Sequence, residues 1–525
     1  MTAVSLVPLP VILPILGAAL TLVFPRQVRI QRNITIVTLI AIVAVGVSLM
    51  LLSDAHGPLA MEVGGWEAPV GIVLVADRLA AILVTVSAIV LLAVLIFSVG
   101  QGLEDGDEET PVSIYFPSYL VLAAGVSDAF IAGDLFNLYV AFEILLVASY
   151  VLLTMGGTSS RIRAGVTYIV VSLVSSILFL AAIGLIYGAT GTVNFAQLSA
   201  RIAQLPQETQ LLLNLTLLIA LGIKAAIFPL SLWLPDSYPT APAPVTAVFA
   251  GLLTKVGIYA IARSQTLLFS GLDITNILMC GAGLTLVIGI LGAVSQRDIK
   301  RTLSFILISH IGYLLFGVAL GSAAGYGATV YYIVHHIIVQ TTMFLAVGLV
   351  ERHAGSTSLA NIGGLLKSAP VIAVLYFIPM LNLGGIPPFS GFLGKLGLFV
   401  AAAEVNTPAA WVLIGTGTLV SLVTLYALSR TWTLTFWRAK PDADDRESPL
   451  MERLAQSPET ETLRQPKRNP KLMTGSTLGM VVVTVLLTVF AAPLVNYAER
   501  AGGVLSDPSL QAAYYFDRPG TEDAP

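Results

Sequence analysis

Glu143, Lys224, Lys255, His335, His336 and Lys395 stand inside long apolar stretches of this 525-residue chain, where an ionisable side chain is out of place. A charge at mid-helix costs about 2.5 to 3.5 kcal/mol on an insertion scale, so a structural partner or a function has to offset it. Glu143 sits in Leu138-Tyr-Val-Ala-Phe-Glu-Ile-Leu-Leu-Val147. A carboxylate there either balances one buried cation or relays a proton or cation. Lys224, in Leu218-Ile-Ala-Leu-Gly-Ile-Lys-Ala-Ala-Ile-Phe-Pro229, is too deep for its ammonium to snorkel easily. Desolvation disfavours the charged form of an amine, which lets a lysine release and recapture a proton at accessible pH. Lys255 repeats the situation in Ala250-Gly-Leu-Leu-Thr-Lys-Val-Gly-Ile-Tyr259, with Gly251 one turn away to admit a neighbouring helix. Lys395 repeats it again in Ser390-Gly-Phe-Leu-Gly-Lys-Leu-Gly-Leu-Phe399. Three lysines and one glutamate cannot all be a single structural ion pair.

His335 and His336 share one span, and at helical spacing Thr329, Tyr332, His336 and Gln340 form a polar stripe. A lone membrane histidine is often only an interhelical hydrogen bond, so that reading stands beside proton relay. His310, in Ile308-Ser-His-Ile-Gly312, carries less weight, and His56 and His353 read as solvated loop residues.

The elements that must hold these groups are membrane helices. With 56% apolar and 11% charged residues and a mean hydropathy of +0.87, the chain is far from the roughly 25% charged content of a soluble domain. Stretches of about 18 or more apolar residues give about fourteen candidate spans, centred near Leu16, Ile42, Val86, Val121, Leu145, Leu173, Leu217, Leu253, Leu284, Leu314, Val339, Met380, Val423 and Val485. The first follows no Lys or Arg and precedes Arg26, Arg29 and Arg32, so it reads as a retained helix rather than a cleavable signal. Alternate loops carry most of the positive charge, including Arg161, Arg297, Lys300 and a cluster from Arg438, which places them on the cytoplasmic side and both termini outside. The acidic run from Glu104 to Glu109 falls on the same inner side, but acidic residues weigh little in orientation.

Two spans are interrupted. Pro229, Pro235, Pro239, Pro242 and Pro244 follow Lys224, and Gly384-Gly-Ile-Pro-Pro-Phe-Ser-Gly391 precedes Lys395. Proline removes a backbone donor, and freed carbonyls at membrane depth persist only where protein or water covers them. The breaks fall in the seventh and twelfth spans, the fourth members of two successive five-span sets. An odd number of spans inverts the second set relative to the first, which is the transporter arrangement of paired discontinuous helices. The expected organisation is therefore all-α: N-terminal helices over 1–110, one five-helix repeat over 111–265 and its inverted copy over 266–437. A cytoplasmic linker over 438–471 with a surface helix follows, then a last helix and outside tail over 472–525, the tail reading as a contact arm or loosely ordered.

A single cysteine, Cys280, excludes a disulfide, an iron–sulfur cluster and a cysteine zinc site. Neither GxGxxG nor a Walker pattern is present, so no cofactor is expected and the energy source is an ion gradient or a partner subunit. No nucleic-acid partner is expected either. No mid-membrane carboxylate cluster offers several oxygen ligands, which leaves a metal-ion site unassigned and points to a partner for binding any translocated cation.

Asp134-Leu-Phe-Asn-Leu-Tyr-Val-Ala-Phe-Glu-Ile-Leu-Leu-Val-Ala-Ser-Tyr-Val-Leu152, Lys224-Ala-Ala-Ile-Phe-Pro-Leu-Ser-Leu-Trp-Leu-Pro-Asp236, Leu252-Leu-Thr-Lys-Val-Gly-Ile-Tyr259 and Gly385-Ile-Pro-Pro-Phe-Ser-Gly-Phe392 resemble the antiporter-like subunits shared by Mrp antiporters, respiratory complex I and membrane-bound hydrogenases. The wording around Glu143 and Lys255 is most similar to the D-type subunit of Mrp antiporters, and the chain has room for neither the extra C-terminal helices of the A-type subunit nor a long lateral helix. The resemblance implies a Glu143–Lys224 charge pair, a central polar axis continued by Lys255 and His335, and Lys395 as its last lysine. It implies exchange of Na⁺ for H⁺ within a hetero-oligomer of Mrp-type subunits in the bacterial inner membrane. The alternative is a proton-pumping subunit of a redox complex, and a non-conducting scaffold is the third reading. Relatives often carry Asp and Lys where this chain has His336 and Gln340, a departure that bears on the route between Lys255 and Lys395.

Overall fold

A computed structural model describes residues 3–68, 70–101, 112–155, 159–439 and 471–513. Of the linker expected over 438–471, residues 440–470 lie outside the described residues, as do the acidic run 104–109 and the tail beyond 513.

The chain is a bundle of membrane helices with one small β-hairpin. In hydrocarbon each backbone N–H and C=O must be satisfied within its own segment, and apolar runs of this length therefore become helices. In chain order they are α1 (Leu9–Val23), α2 (Val28–His56), α3 (Arg78–Gln101), α4 (Val112–Ile131), α5 (Leu135–Thr154), α6 (Ser159–Thr190), α7 (Phe195–Ile202), α8 (Gln207–Ala225) and α9 (Ala243–Leu268). There follow α10 (Thr275–Ser295), α11 (Ile299–Ala319), α12 (Ala323–Ala354), α13 (Pro370–Gly384), α14 (Ser390–Val405), α15 (Pro408–Trp437), α16 (Lys471–Val489), α17 (Ala491–Leu505) and α18 (Pro508–Ala513). Among the described residues, 12 helices are long and apolar enough to cross a membrane, and α1 and α13 are shorter apolar helices. The chain is a multi-span membrane protein.

Burial sorts these helices into an inner and an outer set. α9 and α12 are buried along their whole apolar windows and α11 nearly so, whereas α2, α6, α15 and α16 leave broad apolar faces uncovered. The inner helices are the ones that carry Lys255, His335 and His336, out of reach of lipid. Gly251 makes part of this possible, because a Cβ there would overlap the Thr341 hydroxyl of α12.

Two features were not read from the sequence. Strands β1 (Leu59–Glu62) and β2 (Val73–Ala76) pair antiparallel, Leu59 opposite Ala76, and the Val73 carbonyl accepts from Gly133 N at 2.9 Å just before α5. The tail, expected as a contact arm or a loosely ordered segment, folds as far as residue 513 into α17 and α18. Tyr497, Ala498, Ala501, Gly502 and Leu505 recur at helical spacing and all are buried. Arg500 grips Asp54 of α2 through both carboxylate oxygens, and Gln511 bonds Arg263 and Thr266 of α9.

The series α4, α5, α6, α8, α9 and the series α10, α11, α12, α13–α14, α15 match in local detail. Asp134 caps α5 by accepting from Asn137 N, and Asp298 caps α11 by accepting from Arg301 N. Asp134 bridges to Asn194, and Asp298 bridges to Ser358. Both α9 and α15 end in a π-helical turn, Ser264–Leu268 and Thr433–Trp437. Both breaks begin with the same helix stop. After α8, Ala226 is left-handed and Ile227 N reaches back to Gly222 O at 3.0 Å. After α13, Gly385 is left-handed and Ile386 N reaches Leu381 O at 3.2 Å. This is a Schellman ending, which satisfies the last carbonyls of a helix and needs a positive φ.

The breaks differ beyond that point. The second helix resumes at Ser390 and runs 16 residues as α14. The first resumes only as one helical turn, Leu234–Ser237, followed by a tight turn over Tyr238–Thr240, because Pro239 and Pro242 each deny the helix a donor.

Candidate functional site

The ionisable groups singled out above form a discontinuous line from α5 and α8 through the inner helices α9 and α12 to α14. At one end Glu143 of α5 lies half-buried, with its Oε1 buried and without a hydrogen-bond partner. Lys224, in the last turn of α8, is an electrostatic neighbour of Glu143. The two form no direct ion pair within 4.0 Å among the described residues. The Lys224 ammonium donates instead to the Ser176 hydroxyl of α6 at 2.9 Å and stands 5.6 Å from the centre of the Phe142 ring. A cavity of about 20 Å³ lined by Phe142, Tyr168, Ser172, Lys224, Trp233 and Leu253 opens beside it. That volume holds about one water.

Lys255 is fully buried in α9. The π-helical turn Phe249–Leu253 precedes it, and its ammonium donates to the Ala250 carbonyl within that turn. Such turns disturb the i→i−4 ladder and are common at functional sites. The next groups along the line are His336 of α12 and His310 of α11, both within electrostatic range of Lys255. Their rings are 5.1 Å apart. His310 Nδ1 is 3.3 Å from the Tyr332 hydroxyl, and Tyr332 stacks on His335 at 5.4 Å. Neither ring nitrogen of His336 has a protein partner, nor does Nε2 of His310 or of His335. A row of buried imidazoles with open nitrogens can accept and pass protons through bridging waters.

At the far end Lys395 of α14 donates to the Ser421 hydroxyl at 2.9 Å and to the Gly384 carbonyl at 3.3 Å, with the Tyr313 ring 5.2 Å away. Gly384 closes α13, so its carbonyl has no helical donor of its own and is free to solvate the amine. The break therefore supplies part of the lysine's solvation shell. His335 reaches the same break through Ser390, its Nδ1 lying 3.0 Å from the hydroxyl.

The structure thus brings Lys255 within range of His336 and His310, sets His335 and Lys395 at the second break, and leaves Glu143 and Lys224 as a separate group. His310, given little weight from sequence, occupies the centre between His336 and Tyr332. Its signal was available: Ser309, His310 and Tyr313 put polar atoms on one stretch of an otherwise apolar span. Ser390, Asn382, Ser421 and Ser176 went unremarked because hydroxyls and amides cost little to place in a helix and leave no mark in hydropathy. Among the described residues, no group of three or more His, Cys, Asp or Glu side chains gathers as a metal-holding set.

The family model for the transmembrane region shared by NADH:quinone oxidoreductases and Mrp antiporters matches residues 132–421. The chain belongs to this family. The matched region runs from the start of α5 to Ser421, the partner of Lys395, and contains each of the residues of the line. The D-type subunit of the Na⁺/H⁺ antiporter of Alkalihalophilus pseudofirmus is 36% identical over 510 residues, covering 96% of this chain and 98% of that protein. Among solved structures, one chain of the Mrp complex from Dietzia sp. is 30% identical with a TM-score of 0.88, covering 98% of this chain and 100% of that one. A chain of the membrane-bound sulfane sulfur reductase, an archaeal respiratory membrane complex, is 26% identical with a TM-score of 0.84 over 98% of this chain and 99% of that one. Family membership does not by itself assign a role to any side chain.

Proposed function

We propose that this chain is the D-type, ion-translocating subunit of a Mrp-type Na⁺/H⁺ antiporter, assembled with the other subunits of that complex in the bacterial plasma membrane. One observation carries the reading: Lys224, Lys255 and Lys395 are buried, yet among the described residues each is held only by neutral oxygens, those of Ser176, the Ala250 carbonyl, and Ser421 with the Gly384 carbonyl. A structural buried lysine is normally locked by a carboxylate. A hydroxyl or carbonyl oxygen tolerates both the ammonium and the amine, so these lysines can change protonation without breaking an ion pair.

The mechanism follows from the geometry. Glu143, with an open oxygen, receives the approaching cation or proton. A cation there competes for the negative charge that favours the Lys224 ammonium, and the proton on Lys224 is released toward Lys255 across the cavity side of α9. From Lys255 it passes by His336 and His310 to the region of Tyr332, His335 and Lys395. The series over 111–265 and 266–437 act as two inverted copies around this line, with the loops at Arg161, Arg297 and Arg438 facing the cytoplasm and both termini outside.

The redox alternative has less support, since the match to an antiporter subunit is the stronger in sequence, 36% identical against 26% for the respiratory-complex chain. Everted vesicles carrying the complete complex test the choice. Addition of Na⁺ should collapse a preset pH gradient with no electron donor present, and Lys255→Met should abolish that response. Exchange that persists in Lys255→Met, or that requires an electron donor, overturns the proposal.

A further inference from the structure

The break before Lys395 contains a hydrogen-bond chain whose polarity can be read from a single fixed donor. Gly391 N, a backbone amide, can only donate, and it donates to Asn382 Oδ1 at 2.9 Å. This fixes the Asn382 side chain, because the flipped amide would set two donors against each other. The Asn382 nitrogen accordingly has no partner, although the residue is fully buried. Ser390 Oγ lies 3.1 Å from the same Oδ1, an oxygen without a proton, so the hydroxyl must be the donor in that contact. Its lone pairs then face His335 Nδ1 at 3.0 Å, and that nitrogen must carry the hydrogen. Ser390 is itself pinned, its backbone N donating to the Thr488 hydroxyl of α16 at 3.0 Å.

We propose that Ser390 and Asn382 are positioning residues that lock neutral His335 as its Nδ1–H tautomer, leaving Nε2 as the one ring atom that can take up a proton. The inference rests on the relay reading of His335 and adds a direction to it. A proton arriving at Nε2 forms the imidazolium. It cannot leave through Nδ1, because the chain beyond runs through a serine whose own proton is already committed to an amide oxygen, and an amide oxygen is a very weak base. The proton leaves from Nε2, the atom by which it came, unless the Ser390 hydroxyl first turns away from Asn382. His335 is therefore a storage position at the side of the line rather than a link within it, and movement of the broken helix is what would open a second exit.

The first break lacks this device. Counting from the matching Schellman ends, Ser231 stands where Ser390 does, but Ile223 replaces Asn382, and the Ile223 carbonyl accepts from Trp233 Nε1 instead. Ser231→Ala is thus an internal control.

The test is a nitrogen-15 NMR spectrum of the assembled complex in bilayers with only this subunit's histidines labelled. The His335 signals are identified by their loss in His335→Gln. A protonated Nδ1 and a bare Nε2 are expected in the wild-type protein and in Ser231→Ala. Ser390→Ala and Asn382→Ala should shift His335 toward the Nε2–H form or a mixture, and Ser390→Thr, which keeps the hydroxyl, should retain the wild-type pattern. A wild-type His335 with its hydrogen on Nε2, or a pattern unchanged in Ser390→Ala, overturns the proposal. If Ser390→Ala fails to assemble, the wild-type spectrum alone decides. The readout needs no transport, so it stands apart from the vesicle assay that tests the function itself.

Discussion

Replacing Lys395 by methionine separates the role of the amine from the role of the side chain's bulk. The ammonium makes two hydrogen bonds to neutral oxygens, each worth about 1.5 to 3 kcal/mol for a charged donor, so about 3 to 6 kcal/mol in all. Against this stands the desolvation of a group that is 4% exposed, an effect of several kcal/mol for a buried ion. The two nearly cancel. Methionine keeps most of the stem volume, and the oxygens it abandons are not orphaned, because Ser421 already donates to the Gly384 carbonyl at 3.2 Å. Lys395→Met should therefore change the stability of the assembled complex by about 1 kcal/mol or less, the net worth of one neutral hydrogen bond.

Transport should respond very differently. Loss of a positioned proton donor and acceptor typically costs on the order of 10²-fold or more in rate, and the same fall is expected for Na⁺-driven proton movement in everted vesicles. Lys395→Arg supplies the decisive comparison, since arginine keeps the charge but does not deprotonate. It too should fail. Near wild-type exchange in Lys395→Met would remove the residue from the mechanism, and rescue by arginine would show that a fixed charge, not a relay, is what the site needs. Collapse of the complex in Lys395→Met would refute the energetic balance.

Glu143→Ala and Lys224→Ala should each abolish exchange, and the double variant should harm assembly less than the two single effects added, because each single change removes the opposite charge that the other feels without direct contact. Strict additivity in native-gel recovery of the complex would show that the two do not interact. A cysteine at Arg301, introduced after Cys280→Ser, should escape a membrane-impermeant thiol reagent in intact cells and react in everted vesicles, since Arg301 is exposed on the side assigned to the cytoplasm. The reverse pattern would invert the topology. Gly251→Ala should lower the melting temperature of the complex through a clash worth about 1 to 3 kcal/mol, and Thr341→Ala in the same chain should relieve it. No relief in the double variant would mean that α9 and α12 do not meet at that point.

What hydropathy could reveal, it revealed. Each centre read from an apolar run falls within a helix, because the rule that backbone groups must pair inside the bilayer acts on composition alone. The buried lysines were equally visible, since a lysine in an apolar stretch is conspicuous by its cost. The missing parts share a different origin. His310 looked ordinary because its importance comes from lying 5.1 Å from His336 on another helix, a fact of packing rather than of spacing. The β-hairpin was hidden because its strands are four residues each and one is wholly buried, so no alternation marks them. The folded tail escaped notice because small residues, Ala498, Ala501 and Gly502, form its contact face, and they carry little hydrophobic signal. The Glu143–Lys224 pairing implied by resemblance meets a geometry in which Lys224 bonds Ser176, a hydroxyl that sequence could not single out.

The two breaks bear on how a proton could cross the protein sideways. Their helix ends correspond residue for residue, yet the lysines lie on opposite sides of them in sequence: Lys224 in the last turn before the first break, Lys395 in the helix after the second. In two copies of the same direction that difference would put the amines on opposite sides of the membrane's middle. In inverted copies α8 and α13 run in opposite directions, and the half of α8 before its break lies on the same side as the half that follows the break after α13. With the inverted arrangement proposed above, both ammonium groups would occupy one level. Each also stands at a helix C-terminus, since Lys224 belongs to the last turn of α8 and Lys395 reaches back to the final carbonyl of α13, while Lys224 has Glu143 as a further electrostatic neighbour. The C-terminal end of a helix carries partial negative charge and favours a cation beside it. Lysines at unlike positions in the sequence would thus share a helix-end carbonyl environment, and protons handed between them would travel along the membrane plane.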